Sequence, residues 1–311
     1  PPPSPSCPGC RVNGQDAEDI DFGISQGAAP AEPWIQSVGG DFRWDRDLYV
    51  NVVPEEDDNI CTGNTTRGFV SSNSVPGSSL SEGIVFTGNS PTFTLSSSIQ
   101  SSKASPDGWL ITGNPFTPSR PGVIRTSHRY VSDAIAKGRP DNIYYVFGSL
   151  GTRACTQPNP SNCNLKPNLP RGIYKTLAGQ SVTIQNATNT FLAGNDYIFL
   201  IDGNLTISTN IDVPPGSTAT FIVKGNITVD SSVDRIEGIF SADNNFTVAA
   251  GASPLIVEGN VIANAGLGGG SFTNNRDLGT GANGNGSCPA VRFISRPDFI
   301  LNGPELMRFS N

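Results

Sequence analysis

Phe199-Leu-Ile-Asp-Gly-Asn-Leu-Thr-Ile207 recurs, with small changes, three times in the next 56 residues. The copies are Phe221-Ile-Val-Lys-Gly-Asn-Ile-Thr-Val229, Phe240-Ser-Ala-Asp-Asn-Asn-Phe-Thr-Val248 and Leu255-Ile-Val-Glu-Gly-Asn-Val-Ile-Ala263. In a strand, alternate side chains share a face. One face then takes Phe199, Ile201, Leu205 and Ile207, and its counterparts in the other copies are apolar throughout. The other face carries Asp202, Asn204 and Thr206, then Lys224, Asn226 and Thr228, then Asp243, Asn245 and Thr247, then Glu258 and Asn260. That pattern predicts strands with one face in a core and a mostly polar face toward water.

Gly203, Gly225, Asn244 and Gly259 stand at the centre of each copy and suit a corner between two short strands. They lie 22, 19 and 15 residues apart, which predicts coils joined by one loop of variable length. A single copy is too small to bury its apolar face, so neighbours must stack. The fold class predicted is all-β: a parallel β-helix with long loops and one short helix. A β-sandwich is the alternative, because four strand pairs separated by turn residues also fit it.

The rest of the chain divides around this stretch. Residues 1–32, opening on Pro-Pro-Pro-Ser-Pro-Ser, read as an extended Pro-rich arm. Residues 33–175 read as an N-terminal β region of degenerate coils and loops, including Gly83-Ile-Val-Phe-Thr-Gly-Asn89 and Gly108-Trp-Leu-Ile-Thr-Gly-Asn114. Within it, Ser127 to Gly138 carries the best helical signal, with a polar start and a glycine stop. Residues 176–311 read as the regular coils, a Gly/Asn-rich loop without a core of its own, strands at Val291-Arg-Phe-Ile294 and Phe299-Ile-Leu301, and a C-terminal cap.

Composition narrows the function classes. The 35 Gly and 25 Pro argue against a helical bundle. A net charge of -7 without any cluster of Lys and Arg argues against nucleic acid. No apolar run approaches the roughly 18 residues of a membrane span. Pro1 in place of Met reads either as a processed product, signal-peptide removal being one such step, or as the ordered part of something longer.

Cys7, Cys10, Cys61, Cys155, Cys163 and Cys288 make an even set in loop-like settings, the pattern of an exported protein with disulfides. Cys155 and Cys163 are the pair favoured by their short intervening loop; Cys7 with Cys10, and Cys61 with Cys288, are further candidates. Asn64, Asn186 and Asn285 head Asn-x-Ser/Thr triplets in loops and are candidate glycosylation sites. Asn204, Asn226 and Asn245 also head such triplets, but the repeat itself creates them, and they read as a stacked ladder.

Candidate chemistry is sparse. His128 is the one histidine, and no Gly-x-Ser-x-Gly elbow accompanies it. Asp202, Asp243 and Glu258 share one position of the repeat, with Lys224 between the first two, so stacked coils would bring carboxylates into one outward column. Paired carboxylates can act on a glycosidic bond, but a charged outward column also serves solubility. Neither a metal site nor a cofactor motif is read from the sequence.

Pro33-Trp-Ile-Gln-Ser-Val-Gly-Gly-Asp41, Gly108-Trp-Leu, the Asp-Gly-Asn-Leu-Thr-Ile coils and Arg296-Pro-Asp-Phe-Ile-Leu-Asn302 together resemble uncharacterised exported β-helical surface proteins of bacteria. The resemblance implies an extracellular parallel β-helix and assigns no catalytic residue. The function expected is that of an extracellular structural or adhesive surface protein, self-associating as a fibre or coat subunit and contacting a surface glycan. A polysaccharide-active β-helical lyase or hydrolase and a carbohydrate-binding module are the alternatives.

Overall fold

A computed structural model describes residues 33–38, 126–138, 142–150, 158, 169–185, 191–263, 270–281, 284–285 and 288–301, with short strand segments elsewhere. It is a parallel β-helix. Each coil contributes one strand to a long sheet and one short strand to a second sheet, and the apolar side chains of both point between them. The long sheet runs through Ile143–Tyr145, Gly172–Lys175, Asp196–Ile201, Thr218–Val223, Arg235–Ala242, Leu255–Ile262 and Val291–Ile294, all paired in parallel. The short sheet stacks Gly148–Leu150, Val182–Ile184, Leu205–Ile207, Ile227–Val229, Phe246–Val248 and Phe272–Asn274, again in parallel. Sandwich strands linked by hairpins would pair antiparallel, so this ladder pattern rules out the β-sandwich.

The first three repeats stack as the sequence predicts, Phe199 on Phe221 on Phe240. Their rings lie 4.7 and 5.0 Å apart, close to the roughly 4.8 Å strand spacing, so the backbone repeat alone places them in stacking contact. Tyr174 and Tyr144 extend the column at 5.1 and 5.2 Å. The inward residues of the short strands from Leu205 to Val248 are wholly buried.

The fourth repeat corrects the expected register. Leu255–Ile262 is one unbroken strand, with Glu258 opposite Glu237 and Gly259 opposite Gly238, so Gly259 is not a corner. The partner of Phe246–Val248 is instead Phe272–Asn274, from the Gly/Asn-rich loop expected to lack core residues. The expected and observed registers differ by six residues, an even number. Both therefore keep Leu255, Val257 and Val261 inward, and period-two patterning cannot separate them. Gly259 has φ of 129°, and a Cβ there would lie 2.0 Å from the Gly238 carbonyl oxygen, so this glycine is needed for close approach of two strands.

Space does not follow sequence at the C-terminal end. Ile35–Val38 pairs in parallel with Val291–Ile294, so the N-terminal β region continues the same sheet beyond the last coil. No seam in the sheet corresponds to the division expected at residue 175, because Gly172–Lys175 pairs directly with Asp196–Ile201. Phe42–Trp44, Val85–Thr87 and Ile111–Thr112 also pair in parallel, in a three-stranded sheet of their own. At the opposite end the direction changes: Arg153–Cys155 runs antiparallel to both Ile143–Tyr145 and Leu165–Pro167. Pro167, lacking an N–H, suits an outer strand of this closing hairpin.

Helix α1, Ser127–Gly138, forms where predicted, and Thr126 Oγ1 accepts from the Arg129 N–H at its start. Its Val131 and Ile135 cover Ile198, Leu200 and Ile222 on the outer side of the long sheet. That outer side is therefore dry in these coils, contrary to the expectation of a polar, wetted face. Helix α2, Pro297–Leu301, replaces the strand expected at Phe299-Ile-Leu301. Pro297 supplies a preset φ at the first helical position, and Phe299 is fully buried.

Candidate functional site

Three polar groupings lie on the outside of the coils, and each follows from which residues the stacking brings into register. The first is the outward acidic row. Asp202, Lys224 and Asp243 follow the aligned Ile201, Val223 and Ala242, as the repeat predicts. Lys224 Nζ lies 2.9 Å from Asp202 Oδ1, which also accepts from the Gly179 N–H at 2.9 Å. Burial alone would raise the Asp202 pKa, but these donors and the Lys224 charge hold it below the usual carboxylate value.

His128 covers this row from the first turn of α1. It is 8% exposed, its backbone N–H donates to Asp243 Oδ1 at 3.4 Å, and its ring Nε2 stands 3.9 Å from Asp202 Oδ2. Burial lowers its pKa, Asp202 and Asp243 oppose that shift, and Lys224 adds to it. The helix read from Ser127 to Gly138 places this histidine in its first turn, and the packing of α1 on the coils buries it there. Asp243 is 5% exposed beneath the helix.

Glu258 does not join that row. It meets Glu237 in a second grouping that the sequence did not reveal. Arg235 Nη2 lies 2.6 Å from Glu237 Oε1 and 2.8 Å from Glu258 Oε1. Arg296 Nη1 spans the same two carboxylates from the other side at 3.2 and 3.4 Å, and grips Asp298 through Nε and Nη2 at 2.8 Å each. Two arginines thus engage both glutamates, and the Val213 N–H also donates to Glu237. The arrangement neutralises like charges on adjacent strands and ties α2 to the coils.

The third grouping is the outer face of the short sheet. Ser149, Thr183, Thr206, Thr228, Thr247 and Thr273 occupy one column, each directly opposite the next. Beside it stands a second column, Ser181, Asn204, Asn226, Asn245 and Ser271. Here the side-chain oxygen of each member accepts the backbone N–H of its successor, at 2.9, 2.8, 3.1 and 2.9 Å. The predicted Asn ladder is therefore present, joined side chain to backbone, with Ser271 in the place expected for Asn260. A third column holds Ser208 and Asp230, hydrogen-bonded to one another, followed by Ala249 and Asn275.

Arg276, which no sequence signal singled out, fastens this face from behind. It is 0% exposed, and its guanidinium donates to the carbonyl oxygens of Ser253, Asp230 and Val233 at 2.7, 2.9 and 2.5 Å.

Of the candidate glycosylation sites, Asn64 and Asn186 lie outside the described residues. Asn285 does not fit: it is 3% exposed, and its Nδ2 donates to Asp277 at 2.6 Å. Its backbone oxygen accepts from Trp34 Nε1 at 3.0 Å, so its loop clamps the N-terminal strand onto the C-terminal one. Cys288 is buried; Cys155 pairs with Leu165 across the closing hairpin; Cys7, Cys10, Cys61 and Cys163 lie outside the described residues. Among the described residues no group of three or more His, Cys, Asp or Glu could hold a metal ion, and no helix is long and apolar enough to cross a membrane. No protein-family model, curated protein or solved structure matches this chain.

Proposed function

We propose that this chain is an extracellular structural or adhesive surface protein, non-catalytic, whose working surface is the outer face of the short sheet. The observation that carries the reading is the six-rung hydroxyl column from Ser149 to Thr273, a regular polar surface backed by a largely apolar core. The charged groups elsewhere favour it too, since they are spent on one another: Glu237 and Glu258 on two arginines, Asp202 on Lys224. Among the described residues, carboxylates gathered into paired clusters suit a scaffold or an adhesive surface better than a lyase or hydrolase.

Self-association is part of the proposal, through the Pro-rich residues 1–32. The antiparallel hairpin at Arg153–Cys155 and Leu165–Pro167 disfavours end-on stacking at that end. Deleting residues 1–30 should abolish assembly measured by light scattering. Immunogold labelling of intact cells that express the protein should place it on the exterior, and label confined to the interior of opened cells would overturn the reading.

A further inference from the structure

The partner of the short-sheet face can be inferred from its chemistry, and the inference rests on the adhesive reading just given. Successive hydroxyls repeat at the strand spacing, about 4.8 Å along the coil axis. A threonine hydroxyl both donates and accepts, and its methyl offers an apolar contact beside it. In the adjacent column the Asn204, Asn226 and Asn245 side-chain oxygens are consumed by backbone N–H groups, which leaves Nδ2 as a donor at the same repeat. In the three central coils the face thus offers one donor–acceptor hydroxyl and one amide donor per coil, held in line by strands whose inward residues, Leu205 to Val248, are wholly buried; the flanking coils add Ser181 and Ser271 in the amide column.

Charge decides between polymer classes. Across the three described columns Asp230 is the single ionisable group, and it accepts a hydrogen bond from Ser208. An acidic polysaccharide or a phosphate-rich polymer would find no cation here to compensate its charge. A neutral polymer carrying hydroxyls at a spacing near one coil meets no such mismatch. An extended β-linked pyranose chain has that character: each sugar advances by roughly one strand spacing, presents alternating hydroxyls at its edge, and carries C–H groups for the threonine methyls.

We propose that the outer face of the short sheet binds a neutral, extended β-linked polysaccharide laid along the coil axis, with about one sugar residue per coil. Each rung contributes little by itself, because it exchanges water hydrogen bonds for sugar ones. Binding therefore grows with the number of rungs engaged, and a polymer is held where a disaccharide is not.

The test measures binding of the full chain to insoluble cellulose and chitin, to calcium pectate as the acidic comparison, and to soluble β-linked oligosaccharides of two to six units. The variants are Thr206→Val/Thr228→Val, which removes two hydroxyls with little change of shape, Thr206→Lys/Thr228→Lys, and Asp212→Lys at an exposed position off the face. The expected result is retention on a neutral polysaccharide and affinity rising with oligosaccharide length. Binding should fall at least tenfold in both threonine variants, with unchanged melting temperatures, and stay native in Asp212→Lys. Stronger retention on pectate, or threonine variants that bind like the native chain, would overturn the proposal. Failure to bind any glycan by a protein that immunogold places on the cell exterior would overturn it while leaving the surface role intact. Interior label would remove the surface role whatever the glycan result.

Discussion

The side-chain oxygen of Asn204 accepts the backbone N–H of Asn226 at 2.8 Å, and Asn226 does the same for Asn245 at 3.1 Å. Each asparagine thus supplies, from one coil, the acceptor that the corner of the next coil lacks. Asn226→Ala should lower unfolding stability by about 1 kcal/mol, the usual net worth of one hydrogen bond whose donor can turn to water. Asn226→Asp, which keeps an acceptor, should lose less. Urea unfolding of the three proteins checks the order, and an alanine variant as stable as the native chain would show that the ladder is a by-product of the repeat.

Arg276 presents a larger effect. Its guanidinium is sealed from water and donates to carbonyls from two coils, while burial lowers its pKa against the opposing charge of Asp234. Hydrogen bonds to charged groups contribute about 1.5–3 kcal/mol each. Arg276→Met removes the donors and leaves three buried acceptors, so destabilisation should exceed about 3 kcal/mol. Arg276→Lys should recover part of it. Denaturation midpoints of the two variants decide, and equal losses would mean that shape rather than hydrogen bonding holds the loop.

The repeat made the coils legible because Phe199, Phe221 and Phe240 share both parity and spacing. Parity then misled at Leu255, where a shift of six residues leaves every inward residue inward. A second cue was present: Gly270-Ser-Phe-Thr273 matches Asn244-Asn-Phe-Thr247 better than Gly259-Asn-Val-Ile262 does, and it names the true partner strand. The dry outer patch was also written in the chain, since Leu200 and Ile222 are apolar at outward positions. The arginine clamp on Glu237 and Glu258 was not, because it joins loops and strands whose proximity only the corrected register creates. Arg276 gave no signal, being a lone cation in a polar loop.

Cys155 and Cys163 are expected to form a disulfide. The ladder Arg153↔Pro167, Ala154↔Lys166 and Cys155↔Leu165 brings together the chain on either side of the loop that contains Cys163. Closing so short a loop takes little further chain entropy from the folded state and restricts the unfolded one. Peptide mapping without reductant should recover the two cysteines in one linked fragment. Alkylation of Cys155 in the native protein would show a free thiol and break the assignment.

His128 ties the docking of α1 to pH. Its folded pKa is lowered, chiefly by burial, from an ordinary value near 6.5, so below that value the unfolded chain binds more protons than the folded one. Stability from this group is present above about pH 6.5 and is lost as the pH falls through the lowered folded value. Asp202, also lowered, acts in a separate and more acid window: its contribution is present above its ordinary value near 3.8 and is lost as the pH falls through the folded one. Between pH 7 and 5 the native protein should therefore lose unfolding free energy, and His128→Gln should show a flatter dependence. The dye signal of exposed apolar surface should rise with acid in the native chain, since α1 covers Ile198, Leu200 and Ile222. A native protein that gains stability between pH 7 and 5 would mean that the charges of Asp202 and Asp243 outweigh burial, and that acid strengthens the seat of the helix.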